Sequence, residues 1–379
     1  MPSKPAETAR LRGCSLNVNW QEIPETHLPS WNRRLLLTDA SFLQFPYWND
    51  AYRVLHCRPV YLVYGDGLSP LAYVCIVTIR AGLRIGVVQR GPVELAPGAL
   101  TDEAVSSLYE WAKAHGYAFL RFSHSDAGLL GRIAGIGASQ RRDSFPLYPG
   151  YAAAPCELVI DQKGDDRATL AGFHREARRQ IRRALEAGYE VRSSDGPEPV
   201  AEAWPILAAC SKRKGFPMHW PVESYLEMTR LARPHECART YTVYCEGRAI
   251  AAALVVRDRN TAVALRAAAE LRKPSCSALL HWTAMRDMFR AGVRYYSFGS
   301  ASPPVSRFKD RFSPRRVVCP PPVTVEIAPR LCRMWNAALP GLVALAPALR
   351  WLARAAAVRQ PSRAEDKTGA AELRQPAPD

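Results

Sequence analysis

The chain has 379 residues, 48% of them apolar and 9% aromatic, which exceeds one ordinary domain and suffices for two cores of normal size. Its ten cysteines run from Cys14 to Cys332 with no C-x-x-C pair, so buried thiols in a reducing compartment are expected, and neither a zinc site nor a redox pair nor any other metal site is. A formal charge of +16 implies a surface attractive to polyanions: phosphate, RNA or an anionic membrane face.

Residues 1–14 carry charge but no apolar stretch of signal-peptide length, so a disordered N-terminus and a cytoplasmic protein are expected. In the first half, residues 60–64 read as a strand, 65–67 as a turn and 71–78 as a returning strand rich in β-branched residues. A third strand at 83–89 leads to a helix at 101–114, stopped by Gly116, and then to an aromatic strand at 117–122. The join falls at 146–155, where Pro146, Pro149, Gly150 and Pro155 break both periodicities. Beyond it a helix carries Arg175, Arg178, Arg179, Arg182 and Arg183 and ends before Gly188. The first script then repeats: strands at 240–244, 249–256 and 261–268, a helix at 277–290 stopped by Gly292, and an aromatic strand at 293–298. The expected division is therefore 15–152 for the first domain and 153–328 for the second, which carries the active site. Residues 329–358 form an apolar helical segment, broken by Pro340, Gly341 and Pro347, too short and interrupted to cross the roughly 20 residues of a hydrocarbon core. It reads as a helix packed on the second domain or, alternatively, as an interfacial helix with Arg350 and Arg354 at anionic headgroups. Residues 359–379 are polar, rich in Pro and Ala, and expected to be disordered.

Strand, hairpin, strand, helix, strand is the core order of the Gcn5-related acyltransferase (GNAT) fold. The fold class is therefore α+β, mixed sheets with flanking helices, in two tandem GNAT modules. From residue 42 to 318 the chain also resembles the Fem-type peptidyltransferases and their FemAB-like acyltransferase relatives, which add amino acids to the cell-wall precursor from aminoacyl-tRNA. The resemblance rests on the basic helix at 178–188, on Arg213-Lys-Gly-Phe-Pro217, on 277–292 with Tyr295-Tyr-Ser-Phe-Gly299, and on Phe308-Lys309 with Arg311-Phe312. Gln44-Phe-Pro-Tyr-Trp48 and Arg90-Gly-Pro-Val93 add to it in the first half. The sequence departs from the family at Ser297, where an aspartate is usual, and at Ser313, where a glycine is. No coiled-coil arm of the kind some cell-wall members carry is present in the pattern.

The resemblance implies an enzyme that moves an aminoacyl group from aminoacyl-tRNA, or an acyl group from acyl-CoA, to a primary amine of a cell-envelope or metabolite acceptor. The donor would be a co-substrate, with no permanently bound cofactor, and the protein a monomer, with peripheral contact to the inner face of an anionic membrane as an option. Direct attack by the amine needs an oxyanion stabiliser more than a nucleophilic side chain. The resemblance puts Lys309 in that role, in the acyl-transfer channel; Tyr296 is the candidate for proton exchange with the leaving group. A helix N-terminus with free N–H groups can hold phosphate, so Arg272, Lys273, Ser275 and Ser277, before and at the start of the second-half helix, are donor-binding candidates with Arg178, Arg182 and Arg183. Phe308, Phe216, Trp48 and Arg53 are the substrate-binding candidates. The alternative is a non-catalytic RNA-binding or membrane-peripheral protein that retains the fold.

Overall fold

The structure, a computed structural model, describes residues 19–338 apart from 66–68, 81–82, 137–138, 142–155, 216–217, 219, 271–274, 302–305 and 336. The chain begins with β1 (Asn19–Glu22), α1 (Leu28–Leu36), α2 (Pro46–Asp50), β2 (Arg58–Gly65), β3 (Pro70–Arg80), β4 (Arg84–Gln89) and the short β5 (Val93–Glu94). It continues through α3 (Asp102–Ala114), β6 (Phe119–Ser123), α4 (Ala127–Ala134) and β7 (Ser139–Arg141). After the expected join, which lies outside the described residues, come β8 (Cys156–Asp161), α5 (Asp166–Ala171), α6 (Arg175–Glu186), β9 (Glu190–Ser194), α7 (Pro197–Lys214) and α8 (Val222–Ala232). The last elements are β10 (Ala238–Cys245), β11 (Arg248–Arg257), β12 (Thr261–Ala269), α9 (Cys276–Arg290), β13 (Tyr295–Ser300), α10 (Ser306–Asp310), β14 (Arg315–Val318) and β15 (Val323–Glu326).

Local chemistry accounts for the repeated helix. Thr101 caps α3 by accepting from the Ala104 amide, Asp102 and Glu103 sit in its first turn, and Gly116 follows at φ +70°. Helix α9 is followed in the same way by Gly292 at φ +86°, a conformation a side chain resists. Each of these helices packs its apolar face on its own sheet: Leu108 and Ala112 of α3 against Val74 and Val88, Leu280 and Met285 of α9 against Ala251 and Val255.

The strands form two sheets. The first runs β1-β2-β3-β4-β6-β15-β7 with β5 on β3, the second β14-β8-β13-β12-β11-β10-β9. Parallel pairing occurs in each at the corresponding place, β4 with β6 and β12 with β13, on either side of the repeated helix. The mixed α+β architecture and the two modules expected from the repeat are present.

One element does not follow the expected division. Strand β15 lies inside the stretch assigned to the second module, yet it pairs antiparallel with both β6 and β7 of the first sheet. Val323 and Val325 are buried in the first core beside Phe122 and Leu130. The second sheet, 156–318, is therefore an insertion between two neighbouring strands of the first. Period-two alternation marks a strand but carries no label for its partner, so four residues after three prolines could not reveal this. Residues 19–329 belong to one compact unit; beyond it, 330–335, 337 and 338 are helical, and the remainder of the expected apolar segment, with the expected tails at both ends, lies outside the described residues. Among the described residues no helix is long and apolar enough to cross a membrane.

Candidate functional site

The second module opens where the first stays closed. Strands β4 and β6 pair along five consecutive residues, Ile85–Gln89 with Phe119–Ser123. Their counterparts β12 and β13 pair only at Thr261–Val263 with Tyr295–Ser297, and then separate although both strands continue. At this point β13 also carries a bulge: Ser297 faces Val159 and Ser300 faces Glu157, so Phe298 and Gly299 together oppose Leu158. Gly299 is at φ +70°, the left-handed conformation a bulge of this kind demands.

The bulge directs two carbonyl groups toward one side chain. The Lys309 ammonium, from the short helix α10, donates to the Phe298 carbonyl at 2.8 Å and to the Ser300 carbonyl at 2.7 Å. An ammonium has three donors, so the third is left for an incoming acceptor. Burial lowers the Lys309 pKa to about 8, while the two carbonyl dipoles favour the charged form. Behind it lies an aromatic cluster in which His281 of α9 meets Phe298 at 4.9 Å and Phe308 at 5.8 Å between ring centroids. His281 is held neutral, its pKa lowered to about 3 by burial and then by the Lys309 charge. Its Nδ1 bonds the Tyr296 hydroxyl at 3.0 Å.

On the opposite face of the same strands lies a cleft of about 930 Å³ between the two modules, lined among others by Arg90, His124, Glu157, Asp258, Tyr295 and Arg315. Strand alternation divides the faces: Leu158, Ile160, Tyr296 and Phe298 enter the core, whereas Glu157, Val159 and Tyr295 face the cleft. Arg90 Nη2 donates to Glu157 Oε1 at 2.6 Å, and the Ser297 hydroxyl donates to Glu157 Oε2 at 3.3 Å. The Ser297 oxygen accepts in turn from the Gly299 amide at 3.0 Å. Asp258, at the rim, accepts from the amides of Asn260, Thr261 and, across the modules, Phe42; burial lifts its carboxyl to about 6.

The predicted site residues divide into those brought together and those kept apart. Lys309, Phe308 and Tyr296 converge on the bulge, but the Tyr296 hydroxyl is fully buried against His281 and stays protonated, its pKa raised by desolvation and then by Tyr241. It orders the imidazole; proton exchange with a leaving group is not a role this burial allows. Arg178, Arg182 and Arg183 lie exposed on α6, whose buried face is Ala177, Ile181 and Ala184. Ser275 occupies the N-cap position of α9 but makes no side-chain capping bond, and Ser277 is inside the first turn. Arg272, Lys273 and Phe216 lie outside the described residues. Trp48 is a core residue, its ring 4.7 Å from Trp220 and its indole nitrogen without a partner among the described residues. Arg53 is held at the surface by Asp50 and Glu25. Sequence reasoning missed Glu157; the signal was a carboxylate opening the otherwise apolar strand segment 158–160. Among the described residues no group of three or more His, Cys, Asp or Glu could hold a metal ion.

Comparison with known proteins agrees with this geometry. Residues 171–310, which span α6 to Lys309 and include the opened strand pair, match the family described as "Acetyltransferase (GNAT) domain". This segment is similar to GNAT acetyltransferase domains. Among solved structures, FemX superimposes with a TM-score of 0.69 at 12% identity, over 83% of this chain and 99% of that one. The C-terminal domain of a putative lysylphosphatidylglycerol synthetase from Agrobacterium fabrum gives 0.52 at 13%, over 83% and 97%. L-PGS from Bacillus licheniformis gives 0.52 at 16%, over 81% and 93%. At these identities the likeness is one of fold, and it takes in both modules. No curated protein sequence matches the chain.

Proposed function

We propose that the GNAT domain transfers an aminoacyl group from aminoacyl-tRNA, or an acyl group from acyl-CoA, to a primary amine of a cell-envelope or metabolite acceptor, with Lys309 as oxyanion stabiliser. The observation that carries this reading is the gap between β12 and β13 with a charged lysine seated at its edge. In the transfer step the amine nitrogen bonds to the acyl carbon, and the bond from that carbon to the ribose oxygen of tRNA, or to the thioester sulfur, breaks. The amine's proton passes to the leaving oxygen or sulfur through solvent. The charge that develops on the carbonyl oxygen faces the third N–H of Lys309, already desolvated and held in place, the arrangement in which such a donor is worth most.

Two features favour aminoacyl-tRNA as the donor. Arg178, Arg182 and Arg183 project from α6 with no acidic partner among the described residues, unlike Arg179, which pairs with Glu176. The segment 270–277 lacks the glycine-rich pattern with which this fold holds coenzyme A. The name of the Agrobacterium relative, lysylphosphatidylglycerol synthetase, likewise describes a product bearing an aminoacyl group. Purified protein incubated with a tRNA pool charged with labelled amino acids, and separately with acetyl-CoA, each with an extract of cellular amines, should yield a labelled amide identifiable by mass spectrometry. Folded protein that transfers label from neither donor would leave the non-catalytic, RNA-binding or membrane-peripheral reading.

A further inference from the structure

We infer that Glu157, clamped by Arg90 of the first module, is a positioning residue that holds the β13 bulge and through it seats Lys309, so that the first module supports chemistry carried out on the second. The inference rests on the reading of Lys309 above but adds residues that the domain match at 171–310 does not contain. The physical chain is continuous. Arg90 is itself in the left-handed region at φ +55° and reaches across the module boundary to Glu157 Oε1 at 2.6 Å. Both side chains are largely buried, 19% and 13% exposed, where an ion pair keeps its geometry and losing one partner is costly.

Glu157 Oε2 then receives the Ser297 hydroxyl, and the fully buried Ser297 oxygen receives the Gly299 amide. That amide belongs to the bulge residue that turns the carbonyls of Phe298 and Ser300 to the same side, where both bond Lys309. Without the Ser297 contact the Gly299 amide would be a buried unpaired donor, and the bulge could relax toward regular pairing with β8. Regular pairing would turn one of the two carbonyls into the ladder and leave Lys309 with half its seat. Glu157 lines the cleft and Lys309 does not; Lys309 bonds the β13 carbonyls, so the effect passes through the strand.

The test uses the full-length chain as E157Q, which keeps the shape and removes the charge, and as S297A, which keeps the ion pair and cuts its link to the bulge. The readout independent of activity is the pH dependence of Lys309 acetylation by acetic anhydride, followed by peptide mass mapping. In the wild-type protein its midpoint should lie near 8, and in both variants it should fall below that, because Lys309 stays buried while a carbonyl that favours its charged form is lost. Single-turnover transfer from the charged tRNA pool should fall by on the order of 10- to 100-fold, the effect of misplacing a catalytic group by about 1 Å. Thermal melting establishes that each variant is folded. A folded E157Q or S297A with the wild-type Lys309 midpoint would overturn the positioning role and leave the acyl-transfer reading intact. A shifted midpoint with an unchanged transfer rate would remove Lys309 from the chemistry, and the inference with it.

Discussion

At the scale of single residues, the structure sets the charge proposed for chemistry apart from charge used for architecture. Lys309 is held by two carbonyl oxygens and has no carboxylate partner among the described residues, which leaves its ammonium field available to whatever enters the gap. Lys309→Ala should lower the single-turnover rate by about 2 kcal/mol or more with donor affinity little changed, since the lost interaction exists only in the transition state. The active form is protonated and its pKa is about 8, so the rate should decline as pH rises through that value. Lys309→Arg should be slower than wild type yet show no such descending limb, because a guanidinium stays charged but cannot reproduce the compact ammonium. Stopped-flow or quench measurements from pH 6.5 to 9.5 check both. Asp258 is the architectural counterpart. Its folded pKa of about 6 lies above the ordinary aspartate value of 3.8, so its contribution to stability is complete below about pH 4 and is lost as pH rises to about 6. Two units correspond to roughly 3 kcal/mol. Urea unfolding at pH 4 and pH 7 should show wild type losing up to about that amount relative to Asp258→Asn, and an equal pH dependence in both proteins would assign the shift elsewhere.

At the scale of elements, helix α6 shows how a strongly basic sequence can pack on one face and leave its arginines exposed on the others. Its spacing buries Ala177, Ile181 and Ala184 and leaves five arginines outside, an outcome the 3.6-residue period makes readable from sequence. The triple substitution of Arg178, Arg182 and Arg183 to Ala should leave the melting temperature nearly unchanged, because none of the three is buried. It should weaken tRNA binding at low salt and reduce the slope of log affinity against log salt by about 1 for each arginine that meets a phosphate. Filter binding or fluorescence anisotropy from 50 to 300 mM salt decides it, and an unchanged slope would return these arginines to ordinary solvation. The repeated strands and helices were legible for the same reason as α6: alternation, turn residues and the glycines at 116 and 292 are local signals. The substrate-facing reading of Trp48 failed because an aromatic in a recognisable segment looks alike whether it faces ligand or Trp220. The bulge at Phe298 and Gly299 was not legible either, since it depends on register against β8, 140 residues earlier in the chain. Nor was the network from Arg90 through Glu157, whose members are neighbours only once both sheets exist.

At the scale of the whole molecule, the placement of β15 makes the two modules unequal. The second sheet is built from one continuous stretch, 156–318, whereas the first needs 19–141 and also 323–326. A chain ending at residue 152 would lack the strand between β6 and β7, leaving β6 with an unpaired edge and β7 with no neighbour. It would also lose the burial of Val323 and Val325, each worth about 1.5–3 kcal/mol when fully enclosed. Against a total stability of about 5–15 kcal/mol, that loss together with the unpaired backbone groups should be decisive. The fragment 1–152 is therefore expected not to fold, with rapid amide exchange throughout 58–123. Restoring the strand should restore the fold: because β15 lies antiparallel beside β7, replacing 153–319 with a short Gly/Ser linker returns it as a local hairpin. The expected result is protected amides in β3, β4 and β6 for the linked protein and none for the fragment, measured by hydrogen exchange with mass spectrometry. Equal protection in both would mean that the first sheet is complete without β15, and that the second module is joined to it in tandem rather than threaded into it.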